Sequence, residues 1–292
     1  MKSGEVVARR ALAPLTGLLL FLQSALVVTG GAVRLTGSGL GCPTWPQCTP
    51  GSYTPVPHQI EGQLHAWIEF GNRLLTFALF FAAIATLITV FRSDRRDLRA
   101  LAISQPLGIF AQGLLGGITV LTHLNPLAVA GHFILSIFLI SAATSLHSRR
   151  NHPFVRTSSP DTVISRISLL HLLLSFAVIV AGTLVTGSGP HAGDLNAPRL
   201  RIPIQAIALI HGTLVICLIV VSGIFYTRSS LRSETKHWVN VFFLFAFVQG
   251  MIGYIQYLQG VPELLVATHL LGSTLVWIAT WRIRLSVVRK PA

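Results

Sequence analysis

Eight stretches of this chain are each long and apolar enough to cross a bilayer: about 13–33, 66–91, 100–121, 127–146, 164–185, 204–226, 238–258 and 264–281. A hydrocarbon core takes roughly 20 apolar residues of helix, and inside it every backbone N–H and C=O has to be satisfied within its own segment. Eight such runs in 292 residues therefore specify an all-α polytopic membrane protein. Only 11% of the residues are charged, against about 25% in soluble domains, which excludes a soluble globular enzyme. The formal charge of +13 would suggest nucleic acid in a soluble chain. No basic stripe is interleaved with aromatic residues, so the expected surroundings are membrane lipid and no nucleic acid is expected as a partner.

Eight crossings put both termini on one side. Of the 22 Lys and Arg, 18 fall at the N-terminus, in the segments 92–99, 149–166 and 228–236, and after residue 281. The opposite connections hold only Arg34, Arg199 and Arg201, with Arg73 inside a helix. The positive-inside rule then places both termini in the cytoplasm of a multi-pass plasma-membrane protein. Arg9 and Arg10 ahead of an apolar run ending in small residues resemble a secretory signal, but the run exceeds the usual signal core. Its ending also recurs deep in the chain, so it is expected to stay as the first helix.

That recurrence sets the organisation. Thr36-Gly37-Ser38-Gly39 after the first run returns as Thr186-Gly187-Ser188-Gly189 after the fifth, and Gln112-Gly113-Leu114-Leu115-Gly116 returns as Gln249-Gly250-Met251-Ile252-Gly253. Gln112 precedes His132 by 20 residues, as Gln249 precedes His269. The chain reads as two tandem parallel four-helix repeats, 1–147 and 164–292, joined by a cytoplasmic linker, 148–163.

Ionisable residues inside a membrane are costly and mark function. His132, His211 and His269 lie at similar depth toward the outer face. Neutral imidazoles on facing helices can hold a haem iron, or they can bond across helices. Their recurrence at matched repeat positions favours the first. Glycines at 113, 116, 117, 250 and 253 make room for a flat macrocycle or for close helix crossings. Glu69 is the one carboxylate well inside a span. His65, Glu69 and Asn72 share one face of the second helix, with Arg73 at its edge. Glu69 can serve as a functional acid or as the partner of Arg73. When the halves are superposed, Asn72 aligns with His211 and Glu69 with Ala208, so only the first half keeps an acid.

Cys42 and Cys48 flank Pro43-Thr44-Trp45-Pro46-Gln47 in the first outer loop. In an oxidising compartment such a pair is a structural staple or an exchangeable redox switch. Cys217, inside the sixth helix, reads as an inert apolar side chain. His147, His152 and His237 read as solvated, His171 sits toward the inner end of the fifth helix, and His58, His123 and His191 fall in outer loops.

Taken together, the Gly30–Gly39 run, Cys42 with Trp45-Pro46-x-Cys48, Glu69-x-x-x-Arg73, Gly131-His132, His211 and His269 resemble the haem A synthase (CtaA) family across essentially the whole chain. The loop Gly189–Asp194 is similar to that of actinobacterial members. The resemblance implies an oxidoreductase acting on a CH3 group. It would convert the methyl at porphyrin position 8 of haem O to a formyl, giving haem A for terminal oxidases. It implies haem b as cofactor, bound through iron to His211 and His269, and His132 as ligand of the substrate haem. It also implies Glu69 as the catalytic acid, base or charge stabiliser, and a Cys42–Cys48 disulfide. Haem O synthase and cytochrome oxidase assembly factors are the implied partners. The family's usual second histidine, three residues after the glutamate, is Asn72 here, with His65 as a rival ligand about 10 Å along the helix. A membrane b-type cytochrome relaying electrons to or from quinone is the alternative. A transporter of parallel repeats would show interrupted helices and a polar path through the bilayer.

Overall fold

The computed structural model describes residues 3–153, 155, 161–228 and 231–289. Lys2, Lys290 and residues 154 and 156–160 of the expected linker 148–163, Arg156 among them, lie outside the described residues. Among the described residues the regular structure is helical, with eight helices long and apolar enough to cross a membrane. These are α1 (Ser3–Leu35), α2 (Gln63–Arg92), α3 (Arg99–Leu121), α4 (Pro126–Arg149), α5 (Thr162–Ser188), α6 (Ile204–Tyr226), α7 (Ser233–Leu258) and α8 (Glu263–Val288).

Three helices outrun their apolar segments, because a helix need not stop where the hydrocarbon does. α1 begins ten residues early, where Glu5 and Arg9 pair one turn apart at 3.0 Å. α7 begins five residues early and α8 ends seven late. Other ends are set locally: the Asn125 side chain accepts from Leu127 N–H with Pro126 in the first turn of α4, and Asp161 accepts from Val163 and Ile164 N–H at the start of α5. Both use the preference for a short polar cap over orphaned N–H groups.

α1 packs on α2 and α4, α2 on α3, and α3 on α4, closing a first bundle. α5 packs on α6 and α8, and α7 on α6 and α8, closing a second. The bundles meet through α1, α4, α5 and α8. Indole groups of α8 tie that seam: Trp277 donates to Ser141 Oγ at 2.8 Å and Trp281 to Ser145 Oγ at 2.8 Å, both on α4. Both indole N–H groups thus find serine hydroxyls across the seam, and Trp277 also donates to the Ile137 carbonyl at 3.2 Å.

The end carrying the basic connections is the tightly packed one. Arg95, between α2 and α3, donates to the Arg149 and Arg150 carbonyls that end α4 and pairs with Asp97. Arg232, between α6 and α7, donates to the Ser286 carbonyl near the end of α8 and pairs with Glu234. Arg95, Asp97 and Arg149 each reappear 137 positions later as Arg232, Glu234 and Ser286 in the same contacts. The two bundle cores, around Leu19, Ala83 and Leu146 and around Phe225, Phe242 and Ile283, belong to this half. In α4 the buried run starts at Ile137, five residues after His132, and in α8 at Thr274, five after His269. Toward the opposite, disulfide-bearing end no described residue of α4 or α8 is fully buried.

Candidate functional site

The face of α2 expected from spacing is turned onto α1 and the loop behind it. Asn72 Oδ1 accepts from Thr29 Oγ1 at 2.7 Å, and His65 Nδ1 bonds Ser38 Oγ at 2.9 Å. Glu69, between them, is buried with both oxygens engaged. Oε2 accepts from Cys42 N–H at 2.7 Å, and Oε1 accepts from Arg73 Nε at 3.1 Å and Nη2 at 2.6 Å. Arg73 reaches further, donating to the carbonyls of Cys42 (3.0 Å), Thr44 (3.2 Å) and Gln47 (3.1 Å). One carboxylate and one guanidinium thus clamp the backbone of the whole Cys42–Cys48 loop. The disulfide is formed, and both cysteines are 0% exposed. Gly41 lets the loop lie on α2, since a Cβ there would come within 2.8 Å of Ala66 N. On the other side Trp45 lies on Gly117 of α3, where a Cβ would overlap the indole.

Behind the loop, the two halves repeat one arrangement around a histidine. Gln112 Nε2 on α3 donates to the His132 carbonyl at 3.1 Å, and Gln249 Nε2 on α7 donates to that of His269 at 2.6 Å. Gly116 faces the His132 ring and Gly253 the His269 ring, with an added Cβ at 3.4 and 3.0 Å from Cε1. In each half the same two atoms, the glutamine Oε1 and the histidine Nδ1, are buried without a partner among the described residues. His211 on α6 lies against Gly182 of α5, its Nδ1–H donating to the Val178 carbonyl at 3.0 Å. A carbonyl can only accept, so Nδ1 carries the proton and Nε2 keeps its lone pair, the orientation a metal-ligating imidazole needs.

These features fit a haem. A porphyrin brings its own four nitrogens and asks the protein for axial ligands and a slot. Among the described residues no group of three or more His, Cys, Asp or Glu is placed to hold a metal by itself. The second bundle offers His211 and His269, each packed beside a glycine. The first offers His132. Asn72 is a poor match, because its amide oxygen, the only atom that could ligate iron, already accepts from Thr29. His65 is tied to Ser38 two turns away.

Other histidines fall outside this arrangement. His147 is not simply solvated: it lies in α4 against Gly17 of α1, with Nδ1 3.1 Å from Thr16 Oγ1. His171 is fully buried, edge-on to Phe242 at 4.6 Å between ring centroids. Cys217 is a free, exposed thiol. Three structural features of this region carried no motif in the sequence: the grip of Arg73 on three carbonyls, the bond from His211 to Val178, and the meeting of Arg34 with Arg199 at the disulfide end.

Residues 13–193 match the COX15-CtaA family, described as cytochrome oxidase assembly protein. The chain belongs to this family. The matched residues include Cys42, Cys48, Glu69 and His132 and stop before α6, so His211 and His269 lie beyond them. Curated relatives named heme A synthase include one from Geobacillus kaustophilus, 33% identical over 38% of this chain and 34% of its own length. One from Shewanella oneidensis is 27% identical over 53% and 49%, and one from Exiguobacterium sibiricum 28% over 60% and 58%. The chain thus spans between a third and three-fifths of the length of these relatives.

Proposed function

We propose that this protein is a haem A synthase, converting the methyl at porphyrin position 8 of haem O to a formyl group. The observation that carries the reading is the asymmetry between two like sites. Each half holds a histidine backed by a glycine and a glutamine at one spacing, and only the first adds a buried carboxylate. A cytochrome that only relays electrons has no use for a carboxylate beside one of two pockets. The family and the relatives named heme A synthase support the same reading.

In this reading the chain is two tandem halves, 1–147 and 164–292, joined by the segment 148–163. The second half holds haem b between His211 and His269; when bound, that group supplies one-electron redox chemistry. The first half receives haem O at His132, beside Glu69. The methyl carbon gives up four electrons in two steps to an external electron acceptor and gains two hydroxyl groups, and the resulting diol loses water to leave the formyl. Arg73 and the Cys42 N–H fix Glu69 in place, where a negative charge could offset positive character developing at the methyl. As a carboxylate it can also take a proton from the diol. The disulfide end faces outward across a plasma membrane and both termini are cytoplasmic. Haem O synthase and oxidase assembly factors are the expected neighbours.

The grip on the loop favours a second role for Glu69, as the anchor that seats the disulfide. The test of the overall reading is the spectrum and extracted pigment of the purified protein. Low-spin haem b together with haem O or haem A is the expected result, and a preparation that stays colourless after loading with haem refutes it.

A further inference from the structure

A cleft of about 480 Å³ opens at the disulfide end, where the loop after α1 meets the loop after α5. The loops are joined by Gly39 N–H to the Gly193 carbonyl at 2.9 Å. Two arginines line the cleft. Arg34 Nη2 donates to the His191 carbonyl at 2.8 Å and Arg199 Nη2 to the neighbouring Pro190 carbonyl at 2.5 Å. Adjacent carbonyls of one loop therefore hold two like charges side by side. Arg34 Nε and Arg199 Nη1 are buried with no hydrogen-bond partner among the described residues. Glu61 and Asp194 also line the cleft, yet no ion pair joins either of them to Arg34 or Arg199 among the described residues. Cations whose buried N–H groups lack partners are costly unless an anion completes them, and the planar fork of arginine suits the two oxygens of a carboxylate.

We propose that Arg34 and Arg199 bind the propionate carboxylates of the porphyrin substrate and so bring the methyls that flank the propionate edge, position 8 among them, to the level of Glu69. This rests on the haem A synthase reading and extends it. Along α1, Gly30 lies opposite Asn72, a Cβ there being 4.0 Å from Asn72 Nδ2. Arg34 is four residues nearer the disulfide end, roughly 6 Å of helical rise. Glu69 is three residues from Asn72 in the same direction, roughly 4.5 Å. A haem whose iron sits at the level of Asn72, with its propionate edge toward the disulfide end, brings its carboxylates to the arginines. The methyl at position 8 shares its pyrrole ring with a propionate. Pinning that edge therefore sets this methyl at the level of Glu69 and turns the far edge of the ring toward the basic end. His65 also lines the cleft, two turns beyond Asn72, which suits a contact with the propionate edge better than a bond to iron.

The experiment measures binding of metal-free protoporphyrin IX and of its dimethyl ester to the full chain in detergent, by porphyrin fluorescence. Both ligands lack iron, so neither binding nor preference depends on turnover. The wild type is expected to bind the diacid at least about tenfold more tightly than the diester, as charge-assisted contacts imply. Arg34→Gln and Arg199→Gln should each cut that ratio sharply while leaving diester binding unchanged, which also reports an intact fold. Arg199→Lys should retain part of the preference. Equal binding of the two ligands by the wild type, as for a cleft that takes lipid phosphate instead, overturns the proposal alone. So does a ratio that survives both Gln substitutions. A wild type that binds neither porphyrin but binds haem overturns the proposal alone, and one that binds none of the three overturns the haem reading as well.

Discussion

Arg73→Met removes the guanidinium that holds Glu69 and three loop carbonyls, and its effect can be sized from the contacts. The pair is largely buried, with side-chain exposures of 21% and 8%, so the variant leaves a buried carboxyl without its partner rather than weakening a surface contact. Breaking such a pair costs about 3–5 kcal/mol, and the Cys42, Thr44 and Gln47 carbonyls lose their donor as well. Taking only the lower end, ~3 kcal/mol at ~1.4 kcal/mol per decade raises the open population of the loop about 100-fold. Cys42 and Cys48 are 0% exposed, so a reductant reaches the disulfide through that open form. With fast reclosing, the reduction rate follows its population. Membranes carrying the variant in a Cys217→Ser background would be treated with a water-soluble phosphine, and freed thiols trapped with a bulky maleimide and read by gel shift. The expected acceleration is about two orders of magnitude for Arg73→Met. It is about one for Glu69→Gln, which keeps an acceptor for Cys42 N–H while losing the charge. Rates within about twofold of the wild type for Arg73→Met would refute the clamp.

His211→Ala and His269→Ala should each abolish or convert the low-spin haem b spectrum, because one axial nitrogen is lost. His171→Ala should not, and equal spectra for all three variants would remove the ligand assignment. Asn72→His should add a second low-spin bis-histidine signal by magnetic resonance in protein loaded with haem O. Finding that signal in the parent, and losing it on His65→Ala, would instead make His65 the ligand. An impermeant thiol reagent on intact cells should label Tyr53→Cys but not His152→Cys, and the reverse pattern would invert the orientation.

The helices and the class of fold were legible because apolar run length is a direct consequence of bilayer thickness. Their ends were not, since the charged turns of α1, α7 and α8 continue as helix beyond the hydrocarbon. The spacing from Gln112 to His132 and from Gln249 to His269 could be read from the sequence as a repeat, and the structure gives it a physical content, a side-chain amide bonded to a histidine carbonyl. The shared face of His65, Glu69 and Asn72 was visible from helical periodicity. What each residue on it touches was not, because Thr29, Ser38 and Cys42 come from α1 and a loop whose path no periodicity dictates. The opposed pairs Arg95–Asp97 and Arg232–Glu234 could have been found by extending the repeat offset into the charged connections. The cleft of Arg34 and Arg199 could not, since it depends on two loops being joined at Gly39 and Gly193, 154 residues apart in the chain.

The central claim is that this chain oxidises haem O at the methyl beside Glu69. It is tested most directly by expressing the protein in cells that make haem O but no haem A, and analysing the haems extracted from their membranes. The account predicts haem A with the wild-type chain. With Glu69→Gln it predicts an unchanged haem b spectrum but haem O, or a hydroxylated derivative, in place of haem A. Haem A at near-normal levels from Glu69→Gln would reduce Glu69 to the partner of Arg73, and its absence with the wild-type chain would contradict the account.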